Sequence, residues 1–223
     1  MRGRLAFLNG TPVGHYRAAW PTGLTTGLAA GNPFFSIRWP AATFIRPLIT
    51  RLRVAATLVT PFTAANEIAF AAFFARNFSA PDTGGTPLVV ASPNNMLNSL
   101  ADAAMSCTGV IATTGTLTAG TRALDTNPFL YGSGMQTLAA ASAAPMTVAE
   151  EFVLLSADSQ VEAHLQNGNA PASAQGGGNN FSPEGIVITC PTAQGAGGTV
   201  RYVVSMDWIE YAFGPGMVPG IGG

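Results

Sequence analysis

The strongest constraint on the fold is a period-two alternation of apolar side chains between Thr199 and Tyr211. In an extended chain, alternate side chains lie on opposite faces, whereas a helix would spread the same residues around its circumference. One face of this segment would carry only large apolar side chains, namely Val200, Tyr202, Val204, Met206 and Trp208. The pattern therefore predicts a β-strand with one face on a core.

Similar short segments recur between clusters of Gly, Pro, Asn and Ser. They predict further strands at Phe34–Trp39, Leu48–Thr60, residues 66–78, Cys107–Thr114, Glu150–Ala157 and Gly185–Cys190. Within Leu48–Thr60, the side chains of Leu48, Thr50, Leu52 and Val54 share a face. Roughly eight short strands without intervening helices indicate a mostly β, antiparallel β-sandwich or jelly-roll-like single domain.

Two regions leave alternatives open. The alanines of residues 66–78 also suit a helix, but the aromatic side chains and the Ser-Ala-Pro-Asp-Thr-Gly-Gly turn that follows favour a strand buried on both faces. Residues 126–149 contain few large side chains, so we expect a loop with a short strand or helix. Residues 166–183 predict a long, flexible surface loop.

Composition also suggests where the domain begins and ends. Residues 1–33 are rich in Gly, Pro, Thr and Ala without a clear period, and we interpret them as an extended N-terminal arm that orders on a partner. The β-sandwich domain is expected at 34–211, followed by a flexible Gly/Pro-rich tail at 212–223. No secretory signal peptide is recognised, because the apolar run after Arg4 is too short.

The chain has few charged residues, and this limits the classes of function that it could have. Charged residues make up 9% of the sequence, against about a quarter in a typical soluble domain, and every basic residue is Arg. Interfaces favour Arg over Lys, although a GC-rich genome also enriches Arg and Ala. The net charge is −1 and the three-residue basic cluster Arg46, Arg51 and Arg53 is small, so we expect no direct nucleic-acid contact. The uncharged stretches are too polar to span a membrane.

The residues of the usual catalytic types are scattered. The two histidines, His15 and His164, have no recognisable partner, and Ser133 between Gly132 and Gly134 lacks the spacing of a nucleophile elbow. Glu150 and Glu151 would point to opposite faces of a strand, as would Asp207 and Glu210. Gly-rich loops at 176–178 and 195–198 match no phosphate-binding motif. The sequence therefore predicts no catalytic, cofactor-binding or metal-binding residue, and no enzyme.

Aspartate, cysteine and tryptophan residues offer three further candidate sites. Asp82 or Asp125 could contact calcium between loops, but neither lies in the carboxylate cluster that a tight site needs. Cys107 and Cys190 are expected to be small buried thiols rather than a disulfide. The indoles of Trp20, Trp39 and Trp208 could serve as stacking platforms for a carbohydrate, and the alternative is a place in the core or an interface.

The chain resembles a family of small, β-rich virion structural proteins of tailed bacteriophages over about residues 10–211. The segments that carry the resemblance are Ser36–Trp39, Thr60–Phe70, Asp82–Thr86, Thr118–Asp125, Glu184–Ile188 and Gly195–Arg201, leading into Asp207-Trp208. The resemblance implies membership of a virion and carries over no site residue. The C-terminal tail after Tyr211 lies beyond it.

These observations lead to an expected function. We expect a head protein that decorates or cements a capsid in the virion, assembled in the bacterial cytoplasm. Its partners would be copies of itself, for instance in a trimer, and other virion proteins such as the major capsid protein. The alternatives are a tail, baseplate or fibre subunit, a carbohydrate-binding jelly-roll module on the particle surface, or a hydrolase.

Overall fold

The computed structural model describes residues 11–39, 45–90, 96–99, 107–138, 146–153 and 184–212. In these residues the chain forms strands, turns and loops, without a helix. The twelve strands are β1 (Thr11–Pro21), β2 (Asn32–Trp39), β3 (Ile45–Thr60), β4 (Asn66–Arg76), β5 (Thr86–Pro87), β6 (Met96–Ser99), β7 (Thr108–Ile111), β8 (Ala123–Leu124), β9 (Leu130–Gln136), β10 (Thr147–Val153), β11 (Glu184–Cys190) and β12 (Thr199–Ala212).

The strands form two antiparallel sheets. Sheet A has the order β10-β3-β12-β1-β6, and sheet B has the order β5-β7-β2-β11-β4, with β8 and β9 both pairing with β4. The pairings are nested along the chain: β1 pairs with β12, β2 with β11, β3 with β10 and β4 with β9. Nested pairing of this kind, divided between two packed sheets, is the jelly-roll topology. The expected antiparallel β-sandwich is confirmed.

The core lies between the two sheets and is built from aromatic and branched side chains. Tyr16 stacks on Trp208 with ring centroids 5.6 Å apart, and both belong to sheet A. Phe34 of β2 stacks on Tyr202 of β12 at 4.1 Å, which joins the two sheets. Aromatic pairs at these separations add stabilisation beyond the apolar area that they bury.

The alternation predicted for the segment Thr199–Tyr211 is confirmed. Val200, Tyr202, Val204, Met206 and Trp208 are all fully buried. The choice of a strand for residues 66–78 is also confirmed, since β4 covers Asn66–Arg76 and Ile68 through Ala72 are buried on consecutive positions. Successive side chains of a strand point to opposite faces, so burial at consecutive positions means that both faces of β4 are buried, as the sequence predicted.

The expected N-terminal arm is wrong for residues 11–33. Thr11–Pro21 is β1, and it lies inside sheet A between β12 and β6. Tyr16, Ala18 and Trp20 are buried, and the backbone N–H groups of Thr22 and Thr25 donate to β12. The Gly, Pro and Thr content obscured a period-two pattern in which only Tyr16 and Trp20 are large. Residues 1–10 lie outside the described residues.

Other boundaries differ in detail. The region expected to be loop with a short strand or helix, 126–149, contains β9 and the beginning of β10, so a strand is confirmed there. β7 covers only Thr108–Ile111 of the strand expected at Cys107–Thr114. The loop expected at 166–183, residues 154–157 and the tail from 213 lie outside the described residues.

Candidate interaction surface

A row of alternating charges crosses the outer face of sheet A. Arg17 of β1 donates from Nε and Nη2 to the two carboxylate oxygens of Asp207 at 2.7 and 2.6 Å. Asp207 lies opposite Arg51 in the register of β12 and β3, and Arg51 Nη2 donates to Glu151 of β10 at 2.5 Å. The bond from Arg51 holds the pKa of Glu151 below its usual value. The row therefore neutralises most of its own charge within the molecule.

The loops and edge of sheet B contain two more sets of ion pairs. Arg76 donates to Glu184 at 2.6 Å and to both oxygens of Asp125 at 3.2 Å. Arg122 donates to Asp82, which also accepts from the backbone N–H of Gly120 at 2.7 Å. Both carboxylates considered for calcium are thus already bound to arginines. In the described part of the chain, no group of His, Cys, Asp or Glu could hold a metal ion.

Several large apolar side chains lie on the surface instead. Those more than a third exposed are Leu24, Val59, Val89, Leu124, Tyr131, Met135, Leu138 and Val153. Single exposed apolar side chains are common, but a row of them indicates a contact surface.

Three of these side chains form a row at the edge of sheet B. Leu124, Tyr131 and Met135 lie opposite Ala75, Ala71 and Glu67 of β4. These β4 positions alternate with Ile68, Phe70 and Ala72, which face the core. The row therefore lies on the outer face of sheet B, together with the exposed Ser133. We call Leu124, Tyr131, Ser133 and Met135 the β8–β9 stripe.

The glycines beside Ser133 have a packing role. A Cβ at Gly132 would come within 2.4 Å of the Phe70 ring and 2.6 Å of Glu150 Cγ, and one at Gly134 would come within 2.4 Å of Val148. These glycines therefore let β10 side chains and Phe70 pack directly against the inner face of β9. The Gly-rich loop at 195–198 has a similar role, since a Cβ at Gly198 would lie 2.1 Å from the Phe62 ring.

The structure does not bring the candidate catalytic residues together. His15 lies on β1 opposite Ile209, and no bond from its side chain to an acid or a thiol is found among the described residues; His164 lies outside them. Glu151 binds Arg51 on the outer face, whereas Glu150 lies against Gly132 on the inner face.

The second pair of acids also diverges as expected. Asp207 faces outward to Arg17, while the buried Glu210 accepts a bond from Trp208 Nε1 at 3.0 Å. A single strand therefore places these two carboxylates on opposite faces. Of the basic cluster, Arg51 is engaged with acids, Arg53 is exposed, and the side chain of Arg46 lies outside the description.

The cysteines are free thiols in an apolar setting. Cys190 is buried and Cys107 is partly buried, and neither takes part in a disulfide. Burial raises the pKa of Cys107 to about 12 and also raises the pKa of Cys190. Because the thiolate is the reactive form, a raised pKa favours the less reactive protonated thiol at both positions.

The indoles considered as carbohydrate platforms are in the core. Trp20, Trp39 and Trp208 are each at most 9% exposed, and Trp20 packs on Phe35. The core alternative is therefore confirmed for all three. Sequence reasoning overlooked the β8–β9 stripe, because Tyr131 and Met135 are separated by Gly-Ser-Gly and resemble a loop.

Together these features define a jelly-roll domain with four arginines paired to carboxylates and an exposed apolar row at one sheet edge. No family model, curated protein or solved structure matches the chain in three comparisons with known proteins. Within the described ranges, the chain has no helix of the length and hydrophobicity that a membrane span requires.

Proposed function

We propose that this chain is a non-enzymatic structural subunit of a bacteriophage virion. In its most specific form the proposal is a capsid decoration or cement protein that stabilises the shell through protein–protein contacts. The observation that carries the proposal is the exposed β8–β9 stripe on a domain in which Arg17, Arg51, Arg76 and Arg122 are paired with carboxylates of the same chain.

The electrostatics favour contact with other proteins. Burying an unpaired charge in an interface is costly, because the charge loses its hydration without gaining a partner. Arg17, Arg51, Arg76 and Arg122 each have a carboxylate partner within the chain. A surface with so few free charges can be buried against a neighbour at a low desolvation cost, and interface cores are depleted of charge for this reason.

The architecture supports the same proposal. Jelly rolls occur in viral capsid proteins and in lectins, so the topology alone is compatible with both the virion reading and the carbohydrate reading. The side chains favour the virion hypothesis. Burial of Trp20, Trp39 and Trp208 removes the stacking platforms that suggested carbohydrate binding. A tail, baseplate or fibre subunit remains the second structural candidate.

The segments that carry the family resemblance have structural roles in this fold. Asp82–Thr86 and Thr118–Asp125 lie side by side, joined by reciprocal backbone bonds between Thr83 and Thr118 at 3.0 and 2.9 Å. Gly195–Arg201 packs against Phe62 and enters β12. In the described residues these segments hold turns and strands together, which is compatible with a structural role.

The test uses particles of the phage that encodes the chain. We expect tail-free heads to contain the chain by mass spectrometry, and immunogold labels to lie on the head surface. Particles from a deletion strain should assemble but lose infectivity faster on heating, and added purified chain should restore their resistance. Labels confined to the tail would select the second candidate, and absence from both would refute the virion proposal.

A further inference from the structure

We propose that two copies of this chain join edge to edge through β9, in an antiparallel pairing centred on Ser133 that extends sheet B across a two-fold axis. This inference names a second copy of the chain as one partner in the protein–protein contacts of the proposed function, and it rests on that function for its biological setting. Its evidence is the edge position, composition and register of β9.

β9 has a free side in the described part of the chain. Its seven residues pair with β4 from Asn66–Gln136 to Ala72–Leu130, and no other described strand pairs with it. A strand at the edge of a sheet presents unpaired N–H and C=O groups along one side. Those groups form a template for another extended chain.

The other sheet edges carry features that discourage pairing. β10 bears the exposed carboxylates of Glu150 and Glu151, β5 has two residues including Pro87, and β6 has four. Charge, proline and short length are the usual protections of an edge strand. β9 has seven residues with neither a charge nor a proline. Of the four edges, β9 is therefore the one suited to accept a strand.

The sequence of β9 is self-complementary about its centre. When two antiparallel copies meet at Ser133, that residue faces its own copy and Gly132 faces Gly134 of the second copy. Tyr131 then faces Met135 of the second copy, and this contact occurs twice. Tyr131 and Met135 are 48% and 58% exposed on the same outer face, so each has surface available for the contact. Sulfur–aromatic contacts across paired strands are favourable.

The nearby carboxylates do not oppose this pairing. Glu67, opposite Met135, accepts bonds from Thr192 Oγ1 at 2.7 Å and from the Tyr131 hydroxyl at 3.4 Å. Glu150 approaches β9 from the inner face at Gly132. The outer row of β9 thus consists of neutral side chains. A second copy of β9 in the antiparallel orientation places a neutral side chain opposite each of them.

The first test is a cysteine register experiment on the purified full-length chain. Paired strands place facing Cα atoms within disulfide range. Under mild oxidation, Ser133→Cys should form a covalent dimer on a non-reducing gel. A mixture of Tyr131→Cys and Met135→Cys should form one more readily than either variant alone. Val59→Cys, at an exposed position of β3, is the matched control, and the wild type gives the baseline of Cys107 and Cys190. Cross-linking at Ser133 no greater than at Val59 would overturn the proposal.

The second test measures association without cross-linking. Ser133→Lys places two like charges face to face at the centre of the pairing, whereas the side chain is exposed in the single copy. We expect the dimer dissociation constant to rise by at least about tenfold in sedimentation, with Val59→Lys unchanged and circular dichroism preserved in both. A wild-type chain that stays monomeric at about 0.1 mM, or a Ser133→Lys chain that stays dimeric, would overturn the pairing. Neither result depends on where the chain lies in a particle, so this proposal and the virion proposal can fail separately.

Discussion

At the scale of single residues, the main polar feature is the buried ion pair between Asp82 and Arg122. Their side chains are 0% and 6% exposed, and Arg122 also lies over the Phe78 ring at 5.4 Å. Burial lowers the pKa of Arg122, while the Asp82 carboxylate opposes that shift. The pair joins the turn around Asp82 to the turn around Gly120. We call it the Asp82–Arg122 clasp.

The clasp predicts a sharp cost for removing one partner. Arg122→Met leaves the Asp82 carboxylate buried without its cation, so the free energy of unfolding should fall by about 3–5 kcal/mol in a urea titration. Adding Asp82→Asn should recover part of that loss, because the uncompensated charge is gone. Glu151→Gln is the matched control at an ion pair whose side chains are 32% and 37% exposed, and it should cost under about 1 kcal/mol. Equal costs for Arg122→Met and Glu151→Gln would show that the clasp does not hold the turns.

At the scale of elements, the clarity of a pattern determined what could be predicted from sequence. β12 and β4 were predicted because their large apolar side chains recur at every second position or fill consecutive ones. β1 was missed because only Tyr16 and Trp20 mark its buried face. β9 was predicted only as a short strand or helix somewhere within residues 126–149, because two of its inner positions are the glycines 132 and 134, whose space is filled by side chains from elsewhere in the fold. A local sequence pattern does not indicate this packing, because the side chains that fill the space beside the glycines come from segments distant in sequence.

The packing of β9 leads to a prediction at this scale. Gly132→Ala adds a Cβ that meets the buried Phe70 ring and Glu150, so the free energy of unfolding should fall by about 1–3 kcal/mol. Gly115→Ala is the matched control, because a Cβ there has no atom within 4 Å. Urea titrations of both variants measure the difference. A Gly132→Ala chain as stable as Gly115→Ala would mean that β10 does not pack closely on β9.

At the scale of the whole molecule, the jelly roll is held together by pairings between distant segments. β1 near the beginning of the chain pairs with β12 near the end, and β12 separates β1 from β3 in sheet A. Period-two patterns predicted the class of fold. They could not predict which strand pairs with which, because every amphipathic strand shows the same alternation. The exposed row at the edge of sheet B depends on that order, since β8 and β9 become neighbours only through β4.

The central position of β12 allows a prediction for the whole chain. A chain that ends at Gly198 lacks β12, so sheet A would divide into β10-β3 and β1-β6, and Tyr16 and Phe34 would lose their aromatic partners Trp208 and Tyr202. Cooperative unfolding requires the full set of long-range contacts, so we expect the shortened chain to give no sigmoidal urea transition and no near-ultraviolet circular dichroism. A cooperative transition in the shortened chain would mean that sheet B and the remaining strands fold without β12, and that β1 does not depend on it for its place in the core.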